Sequence, residues 1–103
     1  MIRVVVRDLA DADVKKAQSW YARDDHRRGV RFVEDFSRTV ERIGALPDQF
    51  PEVGNSVRRA LFHDFPYATY FVRREYVAII IAVLHQRQRP GGWEPRAERE
   101  RTG

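Results

Sequence analysis

The side chains here that can bind or move charge are mostly arginines, with three histidines beside them. Of the 19 basic residues only Lys15 and Lys16 are lysines, and the net charge is +4. A guanidinium presents a planar fork of donors that grips carboxylate or phosphate in bidentate fashion, so the excess suits recognition of either group. A GC-rich genome would produce the same excess. Only arginines gathered on one surface would point to binding. His85 closes an apolar run; its type has a pKa suited to proton transfer, yet it serves equally well as a hydrogen-bonded structural residue. His63 falls in a turn and His26 in a polar connection, so both are expected in solvent. The three histidines share no ligand spacing and cysteine is absent. No metal site, disulfide or cofactor is therefore expected.

The elements that would position these residues follow from apolar periodicity. Ile2 to Val6 is a β-branched run and predicts a strand. Asp8 looks like an N-cap with Asp11 in the first turn. Leu9, Ala10, Val14, Ala17, Trp20 and Tyr21 then form one helical stripe, with Trp20 and Tyr21 expected in the core. The polar segment 23–29 ends in glycine and predicts a turn. A second helix is expected from about Val30 to Leu46, burying Phe32, Val33, Phe36, Val40, Ile43 and Leu46. Its opposite face carries Arg31, Glu34, Asp35, Arg38, Glu41 and Arg42. Pro47 stops it, and a loop runs to Glu52.

The period then changes. Ser56–Phe62, Ala68–Val72 and Tyr76–His85 read as three strands with short links, an antiparallel meander. In the last strand Val77, Ile79, Ile81 and Val83 alternate with Ala78, Ile80, Ala82 and Leu84. Apolar residues on both faces predict a central strand covered on both sides. The two helices can cover only one face. The other needs the C-terminal segment, another copy or a partner, and is expected to stay available to another macromolecule. Residues 86–96 are interrupted by proline and glycine, and residues 97–103 alternate charge without an apolar anchor. That predicts a single domain over 1–96 and a disordered charged tail over 97–103. No apolar run approaches the roughly 18 residues that span a bilayer. Residues 1–7 hold too short an apolar stretch for a signal peptide, so a cytoplasmic location is expected.

Several phrases stand together in this order: Trp20-Tyr21, Phe32 with Phe36, Leu46-Pro47, Phe50-Pro51, Arg58-Arg59, Phe65-Pro66-Tyr67, and His85-x-Arg87-x-Arg89-Pro90-x-x-Trp93. From about Val4 to Arg96 the chain resembles the RelE/ParE toxin superfamily, and within it the ParE-like plasmid-stabilisation toxins. The resemblance implies an α+β fold of order β-α-α-β-β-β, with a helix hairpin packed on a curved antiparallel sheet. It implies a cognate antitoxin with an acidic C-terminal segment, in a heterotetramer or larger assembly. It also implies a target, either DNA gyrase, trapped on cleaved DNA without chemistry by the toxin, or mRNA on the ribosome, cut by the RelE-type members.

Cutting RNA requires a base, an acid and cations around one phosphate. For that reading Arg58 or Arg59 would clamp phosphate, His85 would transfer protons, and Arg87 and Arg89 would add charge. The aromatic residue near the C-terminus is Trp93, however, and an indole has no proton to exchange at usable pH. The resemblance therefore favours the gyrase inhibitor over the ribonuclease. Target contacts are expected among Arg58, Arg59, His85, Arg87, Arg89 and Trp93. A third reading is a non-toxic arginine-rich module that binds RNA or only an antitoxin; as an RNA binder it lacks the exposed aromatics that single-strand binding uses.

Overall fold

The two stretches with three- and four-residue apolar spacing fold as helices in the computed structural model, which describes residues 1–88 and 92–102. Strand β1 (Arg3–Val6) leads into α1 (Asp8–Ala22), and α2 (His26–Ala45) follows after a short turn. Asp8 is the first helical residue of α1. Arg7 holds the cap position, with no side-chain bond across it. Helix α2 starts four residues before Val30, because the Asp25 carboxylate accepts a 3.0 Å bond from the Arg27 N–H and caps it there. The glycine expected to end a turn, Gly29, sits inside this helix. A Cβ at Gly29 would come within 2.9 Å of the Ala22 Cβ and 3.0 Å of the Gln18 carbonyl oxygen, so its absence lets α1 and α2 close on each other.

After a 3-10 turn (Pro47–Gln49) come β2 (Glu52–Gly54), β3 (Val57–Leu61), β4 (Tyr67–Arg73) and β5 (Val77–His85). The sheet order is β1-β5-β4-β3-β2, with β1 parallel to β5 and the other pairs antiparallel. The expected meander is present with one more strand, since β2 occupies the end of what reads as a loop. Three residues are too few to show alternation. Left-handed backbone at Gly54, Asn55 and Ser56 turns the chain straight back into β3.

Strand β5 is central as expected, but its alternation breaks midway. Tyr70 pairs with Ala82 while Phe71 pairs with Ile80, so Ile81 is an extra residue, a β-bulge. Ala78 and Ile80 face the helix hairpin, Ile81 and Ala82 both face away from it, and Val83 returns to the hairpin side. The two faces read from strict alternation are therefore wrong beyond Ile81. A strand apolar on both sides offers no contrast from which a one-residue slip could be seen.

Two layers of side chains pack on the sheet. On the hairpin side Phe32, Ile43, Phe71, Ile80 and Tyr21 form the larger core, with aromatic contacts running through Phe62, Phe65 and Tyr67. Three expectations fail here. Trp20 is 59% exposed while its neighbour Tyr21 is buried, since adjacent helical residues point about 100° apart. Leu46 caps α2 and is exposed. Asp35, read as part of the solvent face, is fully buried. Its Oδ1 accepts from the His63 N–H (3.1 Å), and its Oδ2 from those of Asp64 (2.7 Å) and Phe65 (3.1 Å). The carboxylate thereby ties α2 to the β3–β4 turn.

The opposite face is closed by the chain itself. Residues Glu94–Thr102 form helix α3. Ala97 of this helix and Trp93 just before it are buried against Val57, Val72, Ile79, Ile81 and Leu84. The expectation of a disordered 97–103 tail is thus corrected for residues 97–102. Pro95 falls in the first turn, where no helical N–H bond is lost, and Ala97 provides the apolar anchor. Charge supplies the rest: Arg7 meets Glu100 through two bonds of 3.0 and 2.9 Å, and Arg74 donates to the Glu100 carbonyl at 2.7 Å. The far side of the sheet is therefore not left available, and its apolar character is no argument for a partner.

Candidate functional site

The structure disperses the residues that the sequence puts forward for target binding or catalysis. Arg58 lies on the hairpin side of β3. It donates to the carbonyls of Phe50 (2.6 Å) and Asp48 (3.3 Å), buttressing the 3-10 turn. Arg59 points the other way and is exposed. Trp93 is 9% exposed. Its ring stacks on Tyr70 at 5.7 Å and lies 3.6 Å from where a Cβ of Gly54 would be. Arg89, like Pro90 of the same motif, lies outside the described residues. Arg58 pairs with Phe71, whereas His85 pairs with Tyr67, two strands across and four residues further along. Strand spacing and rise put their Cα atoms on the order of 15 Å apart. Held by those two carbonyls, Arg58 is not directed to His85 in this arrangement.

What the fold does assemble lies around His85. The bulge at Ile81 turns Val83 to the hairpin side, and His85, two residues on, follows. The ring of His85 meets that of Tyr67 edge-on at 5.2 Å. The Arg87 N–H donates to His85 Nδ1 at 3.0 Å, so the proton of the neutral ring sits on Nε2. Gln88 closes the turn by accepting from the His85 N–H at 2.9 Å. Between this strand end and α1 lies a cleft of about 630 Å³, lined on the helix side by Lys16, Ala17, Trp20, Tyr21 and Arg23.

One carboxylate, Asp13, lines the cleft, and it is already engaged. Arg96 of α3 meets it through bonds of 2.6 and 3.3 Å, and the Val83 N–H donates to it at 2.9 Å. Arg96 also donates to the Ile81 carbonyl at 3.0 Å. Strand β1 stops at Val6, opposite Ile80. Asp13 and Arg96 therefore satisfy the edge of β5 that β1 no longer covers. With Asp13 neutralised, the cleft offers donors. Burial raises the Tyr67 phenol above its ordinary value, with Tyr21 and Asp13 adding to the effect, and burial raises Tyr21 against a smaller opposite pull from Arg28. Both hydroxyls stay protonated.

Of these residues, sequence reasoning singled out only His85 and Arg87. Asp13, Lys16 and Arg23 look like ordinary polar positions of an amphipathic helix. Their spacing at 13, 16, 20 and 23 with Trp20 forms a second helical stripe, the one signal that could have found them. Among the described residues no group of histidines and carboxylates could hold a metal ion. No helix there is long and apolar enough to cross a membrane.

Comparison with curated proteins gives no match. Among solved structures, one described as "Chromosomal ParDE TA system from P. aeruginosa" is similar, with a TM-score of 0.73 at 17% identity. The alignment covers 82% of this chain and 96% of that one. Identity that low speaks for the fold alone. The family model for the ParE toxin of the type II toxin–antitoxin system parDE matches residues 4–90, which takes in both helices of the hairpin, β1 from Val4, strands β2 to β5 and the His85 turn, and stops short of α3. With the strand–hairpin–sheet order and the match in agreement, the chain belongs to the ParE toxin family of type II toxin–antitoxin systems.

Proposed function

We propose that this chain is a toxin that binds DNA gyrase and holds it on cleaved DNA, and that a cognate antitoxin with an acidic C-terminal segment neutralises it. The observation that carries this reading is the family match from residue 4 to residue 90. The similar fold from P. aeruginosa, described as part of a ParDE toxin–antitoxin system, favours an antitoxin partner here as well. The placement of the charged residues favours an inhibitor over a ribonuclease. Arg58 is occupied by backbone carbonyls, Trp93 is buried, and His85 stands apart from both. RNA cleavage needs an acid, a base and cations converging on one phosphate.

The test is a supercoiling assay with purified gyrase and the purified chain. The expected result is loss of supercoiling with accumulation of cleaved DNA, reversed by adding the product of the adjacent gene. Unaffected gyrase, together with codon-phased cuts in mRNA on translating ribosomes, would replace this reading with the ribonuclease.

A further inference from the structure

Most cations among the described residues have internal partners. Arg7, Arg38, Arg73 and Arg96 each meet a carboxylate. Arg42 and Arg58 donate to backbone carbonyls, and Arg28 lies over the Tyr21 ring. Three of the exceptions lie near one another. Lys16, Arg23 and Arg87 are exposed, and their side chains have no hydrogen bond or ion pair within the described residues. Lys16 and Arg23 line the cleft between α1 and the end of β5, and Arg87 sits between two other lining residues, His85 and Gln88. Of the other described arginines without a hydrogen bond or ion pair, Arg3 is on β1, Arg31 on α2 and Arg59 on β3.

The same cleft holds the most exposed tryptophan. Trp20 is 59% exposed and rests edge-on against Tyr21 at 5.1 Å. Its ring lines the cleft beside Lys16 and Arg23, so apolar surface and positive charge are presented together. Beside it, His85 Nε2 and the hydroxyls of Tyr21 and Tyr67 have no hydrogen-bond partner within the described residues. The one acid of the cleft, Asp13, is neutralised by Arg96. The cleft is thus short of negative charge, rich in donors, and walled by Ala17, Val83 and an indole.

We propose that this cleft binds an acidic, partly apolar peptide segment of a protein partner, with carboxylates on Lys16 and Arg23 and an apolar side chain against Trp20. The proposal rests on the reading that an antitoxin neutralises the chain, and it assigns where that partner's acidic segment sits. Charge complementarity selects the occupant. Two lining cations, with Arg87 in the adjoining turn, suit a few carboxylates, whereas a nucleic acid backbone needs a longer basic track.

Trp20 reports on the site. The chain has two tryptophans, and Trp93 is already buried, so Trp20 dominates any change of emission on binding. Purified chain is titrated with the antitoxin encoded by the adjacent gene, and separately with a short oligouridylate. The expected result is a blue shift with antitoxin that Trp20→Phe abolishes. A Lys16→Glu/Arg23→Glu double variant should bind about tenfold or more weakly and lose its salt dependence, while melting like the parent. If antitoxin binds with Trp20 emission unchanged and the double variant keeps parental affinity, the site is overturned and the partner reading stands. If no complex forms at all, both fall. If oligouridylate produces the Trp20 shift more tightly than antitoxin, the occupant is nucleic acid and the peptide assignment is overturned.

Discussion

Asp35 shows how much one side chain can carry in a domain of this size. It is a carboxylate with no solvent exposure that takes three backbone N–H groups of the His63–Phe65 turn, with Arg38 3.9 Å away. Removing it leaves three donors without their acceptor in a part-buried setting. Asp35→Ala is expected to lose about 3 kcal/mol or more of stability in urea unfolding. A loss below about 1 kcal/mol would show that the turn finds other acceptors. This role was not legible in the sequence, because position 35 follows the same spacing as the charged face of α2. His85 was legible, since a titratable residue closing an apolar run is conspicuous. Its surroundings were not, since the sheet register brings Tyr67 to it and the α1 crossing sets Lys16 on the same cleft. Trp93 was legible as an aromatic but not as core, because its stacking partner Tyr70 lies on another element.

At the scale of elements, the contact of α1 with α2 depends on a missing methyl group. Alanine favours a helix over glycine in isolation, so Gly29→Ala would ordinarily stabilise α2. Here the added Cβ would meet Ala22 at 2.9 Å and the Gln18 carbonyl at 3.0 Å, and a backbone atom cannot step aside cheaply. The expected outcome is a loss of about 1–2 kcal/mol in chemical unfolding; a gain would mean that the hairpin opens without cost. The hairpin and β3 to β5 could be read from the sequence because their apolar spacing is strong. Helix α3 could not. It has one buried alanine and is held by Arg7–Glu100 and Arg96–Asp13, pairs whose members are more than eighty residues apart in the chain. The three-residue β2 and the one-residue slip in β5 fall below what periodicity can resolve.

For the molecule as a whole, charge makes stability depend on pH. Asp25 is held below its ordinary pKa by the Arg27 side chain and then by the Arg27 N–H. Asp64 is held low chiefly by its hydrogen bond with His63. Such groups contribute stability that is fully present above the unfolded carboxylate value of about 4 and is lost as pH falls through the lower folded value. Protonating carboxylates also raises a net charge that is already +4, which adds repulsion. The melting temperature is expected to fall between about pH 5 and pH 3, and to fall less in an Asp25→Asn/Asp64→Asn variant. Equal slopes in calorimetric melts would remove these two residues from the account. The extra residue at Ile81 has a consequence on the same scale. It acts as a parity setting for the last four residues of β5. With it, the imidazole of His85 joins the helical side of the molecule; with one residue fewer, the same four would exchange sides, and α3 would cover the histidine.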